Sequence, residues 1–412
     1  MKILLIHQMF LEEDDPGGSR FNEMTKVWTN QGHEITVLAG MMHYNGHEKR
    51  AEYKGKYYVN KLQGNVNVWR CHVSESYNAS FIGRLWGYFS FMFSAIWAGI
   101  FKVKGKYDLI LVTSPPLFVG ITAYVSSRFK RIPYVFEVRD LWPESAIDTG
   151  VLTNSVIIKL AYWVEAFLYK NARLINVLTP AFRQRLIEHK NVAPSKVIMI
   201  PNAADFSLSD DLLQHFDAKA FRAEKGWTDR FVITYVGAHG IANGLHQVLD
   251  AAEKLSDTNV LFVMIGDGMT KEALIKDAAS RNITNVTFLP SVPKAEVFKY
   301  IFSSDMGASI LKNVDTFKTV YSNKTFDYMA CKTPILMAID GVSRELVEQA
   351  KAGVYVEPEN TQAYASTIRA YLNNPERLKE EGENGYRFAK ANYDRQVLAK
   401  NYIEELSKVA RK

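Results

Sequence analysis

Lys324 and Asp327 stand in the stretch Ser322-Asn-Lys-Thr-Phe-Asp-Tyr-Met-Ala-Cys-Lys-Thr-Pro334. Ser322 suits a helix start, and Phe326, Met329 and Ala330 recur at the three- and four-residue spacing of a core-facing helix that ends before Pro334. The spacing predicts a loop from residue 315, a short helix, and a buried strand after Pro334. Lys324 falls in the first helical turn, where a lone cation opposes the positive end of the dipole. The position becomes favourable when an anion sits against the free N–H groups and Lys324 neutralises it. Asp327, one turn on, can accept hydrogen bonds from hydroxyls beside that anion, as a ribose would offer. A nucleoside diphosphate fits both. The plainer alternative is an ordinary αβ unit with a solvated lysine.

Two further groups of residues could touch a ligand. Pro133-Tyr-Val-Phe-Glu-Val-Arg-Asp-Leu-Trp-Pro-Glu-Ser145 carries an apolar strand into a charged loop, with Glu137, Arg139, Asp140 and Glu144 at or beyond its carboxyl end, where α/β folds place their chemistry. An arginine–carboxylate bridge that pins the loop is the structural alternative. Phe231-Val-Ile-Thr-Tyr-Val-Gly-Ala-His-Gly-Ile-Ala-Asn-Gly244 reads as a strand, a glycine loop and a helix start, which brings His239, Gly240, Asn243 and Gly244 to a second anion site. Near the start of the chain Gly17 and Gly18 lack a Gly-x-Gly-x-x-Gly pattern, and serve either a tight turn or close backbone approach to a ligand.

The elements that must hold these residues alternate between strand and helix. Residues 2–9 are an apolar run, Phe21, Met24, Val27 and Trp28 share a helical face, and 35–38 begin another strand: the opening of a doubly wound α/β fold. With 412 residues, 47% of them hydrophobic and 23% charged, the chain has material for about two domains. Composition shifts after Val197-Ile-Met-Ile-Pro-Asn-Ala-Ala-Asp205, which sets a boundary there. Net charge is +6, enough to suit anionic partners without calling for nucleic acid. Cys71 and Cys331 form neither a disulfide framework nor a zinc spacing, and Met1 leads straight into a strand without a secretory signal, so a reducing cytoplasm is expected. No Asp-x-Asp motif occurs, and Glu12 to Asp15 reads as a solvated loop edge. Residues 41–64 yield no functional reading.

Between Arg84 and Lys102 runs an uncharged aromatic segment near the lower length limit for a membrane span. Its flanks, 66–70 and 109–113, read as strands of one sheet, which a spanning helix would separate. A crossover helix is expected, either purely core or with Trp86, Phe89 and Phe93 left for a membrane surface and Arg84, Lys102, Lys104 and Lys106 for headgroups.

Three stretches, 113–118 (Thr-Ser-Pro-Pro-Leu-Phe), 137–145 and 322–336, carry a resemblance to family 4 glycosyltransferases, closest to the branch that transfers N-acetylated amino sugars such as N-acetylfucosamine in bacterial O-antigen and capsule assembly. The family's two glutamates eight positions apart become Thr319 and Asp327, its usual histidine before the acidic residue becomes Arg139, and its arginine and lysine in the 237–244 loop are replaced by a region offering His239 and Asn243. The resemblance implies a GT-B fold: two Rossmann-like domains facing a central cleft, with residues 1–203 on the acceptor side, 204–385 binding the donor nucleotide sugar, and a helix over 386–412 crossing back. It implies that Lys324 holds the donor diphosphate, that Thr325 also binds the donor, that Asp327 holds the ribose, that the backbone at Leu289 reads the nucleobase, and that Gly17, Gly18 and the Gly240 loop approach donor phosphates or acceptor. Glu137, Arg139 and Asp140 would orient the reacting groups.

The expected activity is retaining, metal-independent transfer of an N-acetylated (deoxy)hexosamine from a UDP-sugar, with no further cofactor, to a polyprenyl-diphosphate-linked acceptor on the inner face of the cytoplasmic membrane. A departing nucleoside diphosphate develops negative charge that cations and helix dipoles must stabilise. A UDP-sugar 2-epimerase and a non-catalytic sugar-nucleotide-binding subunit are the alternatives.

Overall fold

The computed structural model describes residues 1–13, 15, 20–42, 49–78 and 81–411, without the side chains of 77, 78, 81, 82 and 84. Gly17, Gly18 and the Arg84 side chain lie outside the described residues. Contacts divide the chain into two units, one built from Met1–Asp15, Ser19–Pro201 and Gln396–Lys412, the other from Asn202–Arg395.

In the first unit the apolar runs become strands β1 (Lys2–Ile6), β2 (Glu34–Gly40), β3 (Tyr58–Gln63), β4 (Val66–Cys71), β5 (Leu109–Ser114), β6 (Tyr134–Val138), β7 (Leu174–Val177) and β8 (Val197–Met199). They form one sheet in the order β3-β4-β2-β1-β5-β6-β7-β8. Every neighbouring pair is parallel except β3–β4. Strands β5, β6 and β7 are buried at every position, as expected of a sheet covered on both faces. The register sets Thr113 opposite Glu137 and Glu137 opposite Asn176, a polar row across three strands. β3 lies in the stretch that sequence left unread. It is an edge strand, joined to β4 by a short turn at Gly64, whose φ is +56°.

The aromatic segment is the helix Phe81–Trp97, continued by a wider turn over Ala98–Lys102, and it connects β4 to β5 of the same sheet. Among the described residues no helix is long and apolar enough to cross a membrane. The helix Arg395–Ala410 packs on Arg20–Asn30: the Trp28 indole N–H donates to the Ala399 carbonyl at 2.8 Å, and Tyr402 meets Trp28 edge-on. The preceding helix, Pro375–Asn392, runs through residue 386 without a break, so the expected start of the tail falls inside it.

The second unit holds β9 (Phe231–Val236), β10 (Val260–Ile265), β11 (Val286–Leu289), β12 (Met306–Ile310), β13 (Ile335–Ala338) and β14 (Gly353–Tyr355), all parallel, in the order β11-β10-β9-β12-β13-β14. The chain moves outward from β9 to one edge and returns to continue from β12 to the other. The β9/β12 boundary is therefore a topological switch point, as β1/β5 is in the first unit; ligands of such sheets bind beyond the carboxyl ends at these places.

Candidate functional site

The helix Asn323–Ala330 starts where its sequence predicts, although the Ser322 side chain makes no capping bond. Phe326, Met329 and Ala330 are fully buried, and a buried Phe or Met contributes roughly 1.5–3 kcal/mol. Tyr328 fixes the helix on the sheet. Its hydroxyl lies 3.0 and 3.1 Å from the Thr234 and Ala308 carbonyl oxygens and accepts from the Val236 N–H at 3.3 Å. Gly307 makes room for this ring, since a Cβ there would stand 2.4 Å from it.

Docked in this way, the helix brings Lys324 beside the loop after β9. Its Nζ lies 4.7 Å from the centre of the Tyr235 ring, and a Cβ on Gly237 would sit 3.4 Å from its Cε. Gly237 (φ +141°) is in turn pressed against Gly266, where a Cβ would come within 1.9 Å of the Gly237 carbonyl oxygen. Lys324 has no hydrogen bond or ion pair among the described residues, and burial pulls its ammonium down to about 8. His239 is fully buried with both ring nitrogens unpartnered. Burial, then the Lys271 charge, lowers it to about 4, so it is neutral at pH 7. Its backbone is clamped, the N–H donating to the Asp267 carbonyl at 2.9 Å and the carbonyl accepting from Thr270 Oγ1 at 2.7 Å. Gly240, Asn243 and Gly244 close the same loop, with Asn243 N–H donating to Gly240 and Gly244 in the left-handed region at φ +56°.

Asp327 faces a charge pair that sequence reading missed. Lys294 Nζ stands 3.2 Å from Asp205 and 3.9 Å from Asp327. Burial raises the Asp327 carboxyl to about 6, against the pull of Lys294. Thr319 has no carboxylate to add; its hydroxyl donates to the Thr316 carbonyl at 2.6 Å. Two expected donor contacts are placed differently. Thr325 is fully buried, its Oγ1 3.3 Å from Ser309 Oγ, because it shares the core-facing side with Tyr328 and Met329. The Leu289 carbonyl already accepts from Lys271 Nζ at 2.8 Å and Gly266 N–H at 3.2 Å, which occupies both of its lone pairs.

In the first unit Glu137 also departs from expectation. It is fully buried, with Arg20 Nε 3.1 Å from one carboxylate oxygen and Arg20 Nη2 3.3 Å from the other, which also accepts from Asn176 Nδ2 at 2.9 Å. Arg20 reaches on to the Ile200 and Pro201 carbonyls. Glu137 thus ties β6, β7, the helix Arg20–Asn30 and the exit of β8 together, and is fully buried within that network. Arg139 is half-buried, and its Nε is buried without a partner. Asp140 accepts from the Ser145 hydroxyl at 2.7 Å, and burial raises its carboxyl. Nearby His7 Nδ1 lies 2.7 Å from Thr113 Oγ1, and burial, followed by the Arg139 and Arg70 charges, keeps it neutral.

The acidic run is no solvated edge where it is described. Glu12 is buried, paired with Lys61 at 2.6 Å and Arg70 at 2.9 Å. On the Phe81–Trp97 helix Trp86 and Phe93 are more than half exposed, whereas Phe89 is half-buried against Phe118, ring centres 4.8 Å apart.

Two Rossmann-like units built on parallel sheets, each with a topological switch point, are the GT-B architecture of glycosyltransferases. Residues 17–203 match the glycosyl transferase 4-like domain and residues 217–388 the glycosyl transferases group 1, so that the chain belongs to the family 4 glycosyltransferases. WcaI of Escherichia coli (strain K12), named for a glycosyl transferase role in colanic acid biosynthesis, is 24% identical over 98% of this chain and 100% of its own. Among solved structures, a UDP-forming trehalose-phosphate synthase from Burkholderia xenovorans superposes with a TM-score of 0.75 at 14% identity, covering 99% of each chain. Anabaena Alr3699/HepE in complex with UDP gives 0.71 at 18%, over 99% of this chain and 100% of that one. At these identities the structural likeness is one of fold.

Proposed function

We propose that this glycosyltransferase moves an N-acetylated (deoxy)hexosamine from a UDP-sugar to a polyprenyl-linked saccharide in bacterial surface-polysaccharide assembly, with retention at the anomeric carbon and without a metal. The observation that carries the donor half is Lys324: a half-buried ammonium with no hydrogen bond or ion pair among the described residues, at the start of a helix, beside a glycine loop and a neutral buried histidine. Such a group is stabilised when a diphosphate fills the space before it. As the glycosidic bond breaks, the helix N–H groups and Lys324 take up the charge that develops on the leaving diphosphate, and His239 adds an unpartnered ring N–H. Asp327 accepts from the ribose hydroxyls, oriented by Lys294. Arg139 and Asp140 meet the sugar and acceptor, while Glu137 acts as a positioning residue. UDP as the nucleotide is supported by the UDP-forming trehalose-phosphate synthase and by the HepE complex with UDP, and polysaccharide assembly by the WcaI name. Exposed Trp86 and Phe93 support membrane contact on the acceptor side.

The test is UDP release from a panel of UDP-N-acetyl sugars, with and without a lipid-diphosphate-linked N-acetylglucosamine acceptor. Acceptor-dependent release is expected. Donor conversion without acceptor would replace transfer by epimerisation, and tight UDP binding without turnover on any pair would make the chain a binding subunit.

A further inference from the structure

A cavity of the first unit lies at the end of the sheet opposite the carboxyl ends of its strands. It has a volume of about 970 Å³ and opens between the ends of the helices Val119–Lys130 and Ser155–Asn171, at the amino ends of β6, β7 and β8. Arg128, Arg131, Lys170, Arg173 and Lys196 line it, and no carboxylate does. None of the five forms an ion pair among the described residues. Lys196 alone is hydrogen-bonded through its ammonium, which donates to the Tyr169 and Lys170 carbonyls at 2.7 Å each.

Helix polarity explains only part of this charge. Both helices end here, and each carboxyl end supplies about half a negative charge, so roughly one of the five positive charges is offset and about four are left. Arginine offers planar, paired donors suited to phosphate oxygens, and three arginines around one cavity suit a phosphoryl group better than a carboxylate partner of this chain. The second observation lies on the helix that carries Arg128. Phe129, between Arg128 and Arg131, is 60% exposed, and its ring lies 6.4 Å from Phe101, which lies 4.4 Å from Trp97. Phe101 and Trp97 are themselves more than half exposed. A soluble phosphate ester has no use for three exposed aromatic rings beside its site, whereas a lipid presents a phosphate and an acyl region together.

We infer that this basic cavity binds the phosphate headgroup of an anionic lipid, with Trp97, Phe101 and Phe129 entering the acyl boundary beside it. The inference does not depend on the donor reading. It adds a headgroup-selective contact to the membrane contact proposed for Trp86 and Phe93.

The test is co-sedimentation of the full chain with phosphatidylcholine vesicles, with and without phosphatidylglycerol, alongside calorimetric titration with inorganic phosphate. Wild-type protein should prefer the anionic vesicles. Each basic residue near such a surface is worth roughly fivefold, so Arg131→Gln/Arg173→Gln should lower that binding about thirtyfold. A control pair of exposed lysines on the second unit, Lys254→Gln/Lys379→Gln, should leave it unchanged. UDP affinity of the cavity variant should equal that of the wild type, which verifies its fold. Equal loss in both pairs would mean diffuse charge rather than a site and would overturn the inference, as would no preference for anionic vesicles. Phosphate binding abolished by the cavity pair without any vesicle effect would assign the cavity to a soluble ligand instead. Loss of vesicle binding in Trp86→Ala/Phe93→Ala alone would support the membrane contact of the proposed function and refute this one.

Discussion

Replacing Lys324 by Met should make the protein more stable and nearly unable to bind UDP. The ammonium is held at about 8 by burial, below its ordinary value of 10.5. Between those two values the unfolded chain binds more protons than the folded one, so stability rises with pH through that window, and at pH 7 the charged lysine costs the folded state. Because the side chain is only half-buried, solvent reduces that cost, and Lys324→Met should gain about 1–2 kcal/mol in urea or thermal unfolding at pH 7. The ligand effect has the opposite sign. Truncating one partner of a desolvated charge pair costs roughly 2–5 kcal/mol, or about thirtyfold to several-thousandfold in UDP affinity by calorimetry. In the wild type, a bound diphosphate restores the ammonium toward its ordinary value, so UDP affinity should fall about tenfold per pH unit above about 8 and Lys324→Met should lose this dependence. A merely structural lysine would behave in reverse. A Lys324→Met protein that is less stable and still binds UDP with wild-type affinity would refute the assignment.

Asp327→Asn should weaken UDP binding about fivefold to thirtyfold, since one charged hydrogen-bond acceptor is worth roughly 1–2 kcal/mol, and wild-type binding should decline below about pH 6 as the carboxyl protonates; unchanged calorimetric affinity would remove Asp327 from the ribose. Its folded value exceeds the unfolded one, so the folded state binds more protons between about 4 and 6 and this group favours folding as pH falls through that window. Glu137→Gln leaves Arg20 buried without its counter-charge, and should cost about 3–5 kcal/mol in denaturant unfolding with little change in UDP affinity; a full-stability variant would show that the pair does not hold β6, β7 and the exit of β8 together. Gly307→Ala forces a methyl into the Tyr328 ring, and should destabilise the second unit by about 1–3 kcal/mol and weaken UDP binding by displacing Lys324, both measurable in one thermal-shift series with and without UDP.

What sequence made legible follows the range over which each feature is encoded. Strands β5, β6 and β7 are continuous apolar runs, and the helix at 323–330 declares itself by the spacing of Phe326, Met329 and Ala330, so these elements were readable from neighbours alone. The same local geometry could have excluded Thr325 as a ligand residue, because it lies three and four positions before Tyr328 and Met329, on the buried side. The turn at Gly64-Asn65 could have announced β3. Pairings across the chain had no such signature. The partner of Glu137 is 117 residues away, Glu12 in the loop after β1 meets Arg70 of β4, and only the fold brings Lys294 to Asp205 and Asp327. Glu137, Arg139 and Asp140 therefore look alike in sequence, and the structure separates them by one criterion. Burial penalises every charge, and a fold that leaves a charge desolvated must supply its partner or draw one from outside. Glu12 and Glu137 have their partners within the chain. Among the described residues Lys324 and the Arg139 Nε form no hydrogen bond or ion pair, and His239 has no partner for either ring nitrogen, so at the carboxyl end of each sheet, taken by itself, polar groups stand open to a ligand.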